Sequence, residues 1–151
     1  MNATSTKPNV TLLLAVWGQS YIEQFLAFSL PSLLAQGNIP ALSKETRCQF
    51  YLLTSKNDHQ YFNNHPSFKT LAQYCDIEFV DIDDLIFGIN YSATLTIAYE
   101  RGMRHAGDAM LSTHFIYLVA DYIMANGSLQ SLVPHIKNGV SAISSGNFQV
   151  T

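Results

Sequence analysis

Asp121 closes an apolar run, His114-Phe115-Ile116-Tyr117-Leu118-Val119-Ala120, and Asn126-Gly127-Ser128 comes shortly after. The run predicts a strand over 114–120 that is covered on both faces. Asn126-Gly127 turns the chain, and Ser128 is expected to cap a helix over 128–137 that is bent or interrupted at Pro134. In open α/β sheets, ligands bind outside the carboxyl ends of the strands. A carboxylate at that place can ligate a divalent cation, which takes oxygen donors. The plainer alternative is that Asp121 ends the strand and accepts hydrogen bonds from the turn.

Asp81-Ile82-Asp83-Asp84 is a second group of carboxylates, directly after an apolar run at 77–80. By spelling it is the better metal motif, and Asp81 and Asp83 are the second choice for a cation after Asp121. Its alternative is a solvated acidic loop. The five histidines form no ligand spacing, and no Ser-His-Asp arrangement is legible. The turn after the first apolar run, Trp17-Gly18-Gln19-Ser20, has one glycine only. It therefore lacks the glycine pattern that cradles the phosphates of NAD or ATP.

The elements that must position these residues alternate. Strands are expected over 10–16, 49–54, 77–80 and 114–120, with a fifth over 140–144. Helices are expected over 20–35, 67–74, 92–106 and 128–137. Pro31 should kink the first helix, Gly37-Asn38 should end it, and Ser92 should cap the third. Alternation at this spacing predicts an α/β fold, a mainly parallel sheet flanked by helices.

A chain of 151 residues fits one domain, 10–151 after a polar N-terminus over 1–9, and 48% hydrophobic residues suffice for a core. The net charge of -3 and eight dispersed Lys and Arg argue against nucleic-acid binding. No run is long enough for a membrane segment, and no signal peptide is legible, so the expected location is cytoplasmic. Cys48 and Cys75 fit a reduced compartment, as buried free thiols. They approach each other only if they begin neighbouring strands. A charged fraction of 13% makes an exposed apolar face and self-association an expectation.

Three stretches in order resemble the nucleotide-binding half of GT-A glycosyltransferases, particularly family 2. Val10-Thr-Leu-Leu-Leu-Ala15-Val16-Trp17-Gly18 with the helix after it is similar to that family's opening strand and helix. Ala98-Tyr-Glu-Arg101-Gly102-Met-Arg-His-Ala106-Gly107 matches a glycine-containing helix in spacing. Leu118-Val119-Ala120-Asp121 through Leu129 resembles the family's Asp-x-Asp strand end and the Pro-Gly-Ser/Ala-Leu segment after it. Val119 stands where the first aspartate is expected, Tyr122 replaces a usual acidic residue, and Thr54-Ser55-Lys56-Asn57-Asp58 replaces Asp-Asp-Gly-Ser.

The resemblance implies binding of a nucleotide-diphosphate sugar for transfer to an acceptor hydroxyl, with Mn²⁺ or Mg²⁺ bridging the diphosphate. Asp121 would touch the metal or diphosphate, and Ala15, Val16 and Trp17 would meet the base. Trp17 would stack on it, or else be a core or rim aromatic. Arg101 would face the diphosphate, or else be an exposed helical arginine. Thr54 would bond the ribose. The family's acceptor site and catalytic base lie beyond the stretch matched here, so the chain is expected to be a GT-A-like portion incomplete at its C-terminus. No catalytic residue is assigned. The alternative from another class is a non-catalytic α/β interaction domain that has lost the donor site.

Overall fold

The computed structural model describes residues 7–86 and 90–146. Four strands, β1 (Asn9–Ala15), β2 (Arg47–Thr54), β3 (Asp76–Asp81) and β4 (Thr113–Leu118), form one sheet. All three pairings are parallel, in the order β3-β2-β1-β4. The β1 run is apolar on both sides because β1 is central. Leu12 and Leu14 point into one core, Leu13 and Ala15 into the other.

One face of the sheet carries α1 (Gln19–Gln24), a π turn over Phe25–Ser29, α2 (Leu30–Leu33), α3 (Ile39–Glu45), α4 (His59–Asn63), α5 (Pro66–Leu71) and α7 (Ser128–Lys137). Their core is built from Ile22, Phe25, Leu30, Ile39, Leu42, Phe62, Leu71 and Leu129 against Leu12, Phe50 and Leu52. The opposite face is covered by α6 (Tyr91–His105). Thr94, Ala98 and Gly102 bury at four-residue spacing, the stripe expected of a helix lying on a sheet. A Cβ on Gly102 would sit 2.9 Å from a Leu13 methyl and 3.0 Å from a Leu53 methyl. Glycine there lets α6 approach the sheet closely.

The expected class and four of the expected strands are present. Pro31, expected to kink the first helix, follows a widened turn. The turn just before it is π, with Leu30 N–H donating to Phe25 C=O. A wide turn accommodates a residue that has no N–H for the usual ladder. Helix α7 runs uninterrupted through Pro134.

Three expectations are corrected. Asn90, not Ser92, caps α6, its side chain accepting from Ala93 N–H. Ser128 does not cap α7. Gly127 occupies that position at φ 95°, and the Leu129 N–H is satisfied by the distant Asn38 Oδ1 at 3.1 Å. Residues 140–144 form no strand and are solvent-exposed. With Val140 and Ile143 half-exposed, the segment buries too little apolar surface to order beside β4. Helices α3 and α4 were not anticipated. Asn38 precedes α3 and Pro40 lies in its first turn, a start signal hidden inside what read as a helix stop.

Candidate functional site at the carboxyl edge of the sheet

Chain direction creates one special crevice. From β1 the chain crosses to β2 and then β3 by way of helices on one face. From β3 it returns through α6, on the opposite face, to β4 on the far side of β1. Strand order therefore reverses between β1 and β4, and open α/β sheets bind ligands outside such a reversal. Trp17 leaves β1 here, Asp121 leaves β4, and Tyr91 begins α6 above them.

Trp17 and Tyr91 are in ring contact, centroids 4.9 Å apart, and Tyr21 lies 6.3 Å from Tyr91. Tyr21 and Tyr91 are half-exposed, so the three rings make an aromatic shelf that solvent reaches. Burial pushes the Tyr91 phenol above its ordinary value, and the charges of Tyr21 and Asp121 add to this. The last contribution couples Asp121 electrostatically to the shelf. Asp121 is exposed in a turn closed by Tyr122 N–H on Val119 C=O. Its carboxylate enters no ion pair among the described residues. As a cation ligand it would supply one oxygen, the rest coming from diphosphate and water.

The turn is held from behind. Ser29 Oγ donates to Tyr122 C=O, and Met124 N–H donates to Ser32 Oγ at 2.9 Å. Asn126 Oδ1 accepts from Gly37 N–H at 2.8 Å. Tyr99 of α6 joins the two strands of the crevice. Its hydroxyl donates to Leu118 C=O at the end of β4, and the Ala15 backbone lies within hydrogen-bonding reach of the same phenol. Burial pushes Tyr99 up to about 12, so it stays a neutral donor at physiological pH. Tyr99, Tyr91, Tyr21, Ser29 and Ser32 were missed in the sequence. The one legible hint was an excess of tyrosine around the glycine-containing helix.

The other anticipated residues divide. Ala15 and Val16 are buried, and Val16 N–H continues the ladder to Leu53 C=O. Only their backbone is available to a ligand. Thr54 is fully buried, and its Oγ1 has no hydrogen-bond partner among the described residues. Arg101 lies away from Asp121. It grips Asp84 with two hydrogen bonds, 2.5 and 2.7 Å, and donates to Asp81 C=O at 2.9 Å. Lys56 pairs with Asp81 at 2.8 Å, and Asp81 Oδ1 accepts from Asp83 N–H. Lys56 holds the Asp81 carboxyl below the usual range, and Arg101 does the same to Asp84. Two of the loop's three carboxylates, Asp81 and Asp84, are thus paired with cations.

β3 and β4 are the opposite edges of the sheet, three strand spacings apart, roughly 14 Å. Asp121 and the Asp81 loop cannot share an ion. Among the described residues no group of three or more His, Cys, Asp or Glu is arranged to hold one. Asp58, at the exit of β2, accepts from Gly18 N–H at 2.9 Å. With Gly18 at φ 83°, a carboxylate takes the place at the start of α1 that a phosphate-binding turn would leave open.

The Arg101–Asp84 pair makes a prediction with a definite sign. Asp84's folded pKa is depressed, so its contribution is present above the ordinary carboxylate range and lost as pH falls through the folded value. Arg101→Gln should be less stable than wild type at pH 7. That difference should close on acidification, as followed by thermal melts across pH. A difference constant down to strong acid would assign the loss to packing instead.

Comparison with protein families, with curated proteins and with solved structures gives no match. Fold and site therefore rest on the chain's own geometry.

Proposed function

We propose that the chain is a GT-A-like domain that binds a nucleotide-diphosphate sugar in the crevice between β1 and β4. The observation that carries this reading is the Trp17–Tyr91–Tyr21 shelf beside Asp121 at the reversal of strand order. Aromatic faces hold bases by stacking. A carboxylate a short way along the same crevice suits the cation of a diphosphate, Mn²⁺ or Mg²⁺. The α/β class and the parallel strand order support the resemblance. Transfer to an acceptor hydroxyl would also require a general base, a role assigned to no residue here. No described helix is long and apolar enough to cross a membrane, and a cytoplasmic location is part of the proposal.

A second reading, an interaction domain without donor binding, is favoured by the half-exposed Val119 and Tyr122 flanking Asp121 where the family carries acids. Trp17, the only tryptophan, separates the two. Uridine and guanosine diphosphates and their sugars should quench its fluorescence in the presence of Mn²⁺. Asp121→Ala should weaken that binding about tenfold or more, the worth of a charged ligand contact. Asp83→Ala should leave it unchanged. No quench and no melting shift with any nucleotide at about millimolar concentration, the weak limit of specific binding, would sink the donor-site reading.

A further inference from the structure

The amino ends of the strands, opposite the crevice, carry the chain's two cysteines. Cys48 on β2 and Cys75 just before β3 each precede one member of the register pair Gln49 and Asp76. Parallel neighbours run about 4.8 Å apart, inside the Cα separation of roughly 4.4–6.8 Å that a disulfide spans. The sulfurs are 2.7 Å apart, with both thiols free. Each residue keeps a sliver of exposure, 7% for Cys48 and 5% for Cys75. Both line an open cavity of about 470 Å³, together with Arg47, Gln73, Asp76 and Thr113. A small reagent can therefore reach the pair without unfolding the sheet.

We propose that Cys48 and Cys75 are a reversible thiol–disulfide pair, oxidised in the folded protein by a low-molecular-weight disulfide. Contact with the Cys48 sulfur, together with burial, pushes the Cys75 thiol up. Exchange begins at whichever of the two sulfurs is the thiolate, here taken as Cys48. Its thiolate bonds to one sulfur of the reagent, the reagent's S–S bond breaks, and one reagent thiolate leaves. The Cys75 sulfur, giving its proton to that thiolate, then attacks Cys48 and expels the second. Two protein thiols are oxidised, and one small disulfide is reduced to two thiols. The bond would tie β2 to β3 around the segment that carries Thr54 and Asp58, and it requires no strand to move.

The test uses the whole chain in native buffer, equilibrated with reduced and oxidised glutathione from reducing to oxidising poise. It is then acid-quenched, denatured, alkylated and weighed. The expected product at oxidising poise is a monomer two hydrogens lighter that takes up no alkyl label. It should regain two labels after reduction. Closing a loop between residues 27 apart should raise its melting temperature by about 5–10 °C. Two labels retained at every poise would overturn the proposal, as would a product that is only glutathionylated or only a disulfide-linked dimer. Nucleotide binding plays no part in this readout, so its outcome is independent of the donor-site reading.

Discussion

Asn38→Ala is expected to destabilise the fold by about 3 kcal/mol, enough to lower the melting temperature by about 10 °C. Asn38 is fully buried between two elements that the chain order keeps far apart. Its Nδ2 donates to Ser32 C=O at 2.9 Å and to Ala125 C=O at 3.1 Å, and its Oδ1 accepts from Leu129 N–H. One side chain thus closes α2 and starts α7. Alanine would leave a buried N–H and two carbonyls without their partner, each costing about 1–3 kcal/mol less whatever water recovers. Asn38→Asp is the informative companion. It keeps the acceptor for Leu129 but turns a second oxygen toward the two carbonyls, so it should not rescue. Urea denaturation should show a lower midpoint at unchanged slope. A wild-type midpoint for Asn38→Ala would mean that the junction is not organised by this residue.

Gly37→Ala should cost a similar amount, about 2–3 kcal/mol, by a different mechanism. A Cβ on Gly37 would lie 2.6 Å from Gly127 N and 2.7 Å from Gly127 Cα. These are backbone atoms and cannot rotate aside. The two segments must separate, which stretches Gly37 N–H to Asn126 Oδ1 and Gln130 N–H to Gly37 C=O, now 2.8 and 3.0 Å. Because Gly37 and Asn38 serve one junction, the double variant should lose less than the sum of the singles. The same junction backs the turn that carries Asp121. Under the donor-site reading, Gly37→Ala should therefore also weaken nucleotide quenching of Trp17 at temperatures where the variant is still folded.

Much of this architecture is local in the sequence. The apolar run at 10–16 read as a buried strand because both its faces are covered. The run at 114–120, read the same way, forms the edge strand β4 and is only half-buried, with Tyr117 and Val119 exposed. The bounds of α6 were legible within a residue, 92–106 expected against Tyr91–His105 found, although the cap is Asn90 and not Ser92. Where the reading failed, the deciding contact was distant. Asn38 looked like the end of one helix, but its side chain serves another helix ninety-one residues away. Residues 140–144 had a strand-like composition, but strands form only where a neighbour and a core await them. Helix α3 was lost because seven residues hold too few turns for a periodic signal.

The candidate site shows the same division. Composition and pattern by themselves pointed to an α/β chain with parallel strands, placed Trp17 and Asp121 at strand exits, and offered Asp121 and the Asp81 loop as two candidates for a cation. Only the tertiary structure set the two apart in space. The strand order puts Asp121 beside the aromatic shelf and sends the Asp81 loop to the far edge, where Lys56 and Arg101 pair with two of its three carboxylates. It also buried Thr54, turned Arg101 away from the crevice, and brought Tyr91 and Tyr99 into it. The physical reason is that burial periodicity is written in neighbouring residues, every second one in a strand and every third or fourth in a helix. Which distant side chains meet depends on which face of the sheet each crossover takes, and no short window of sequence contains that choice.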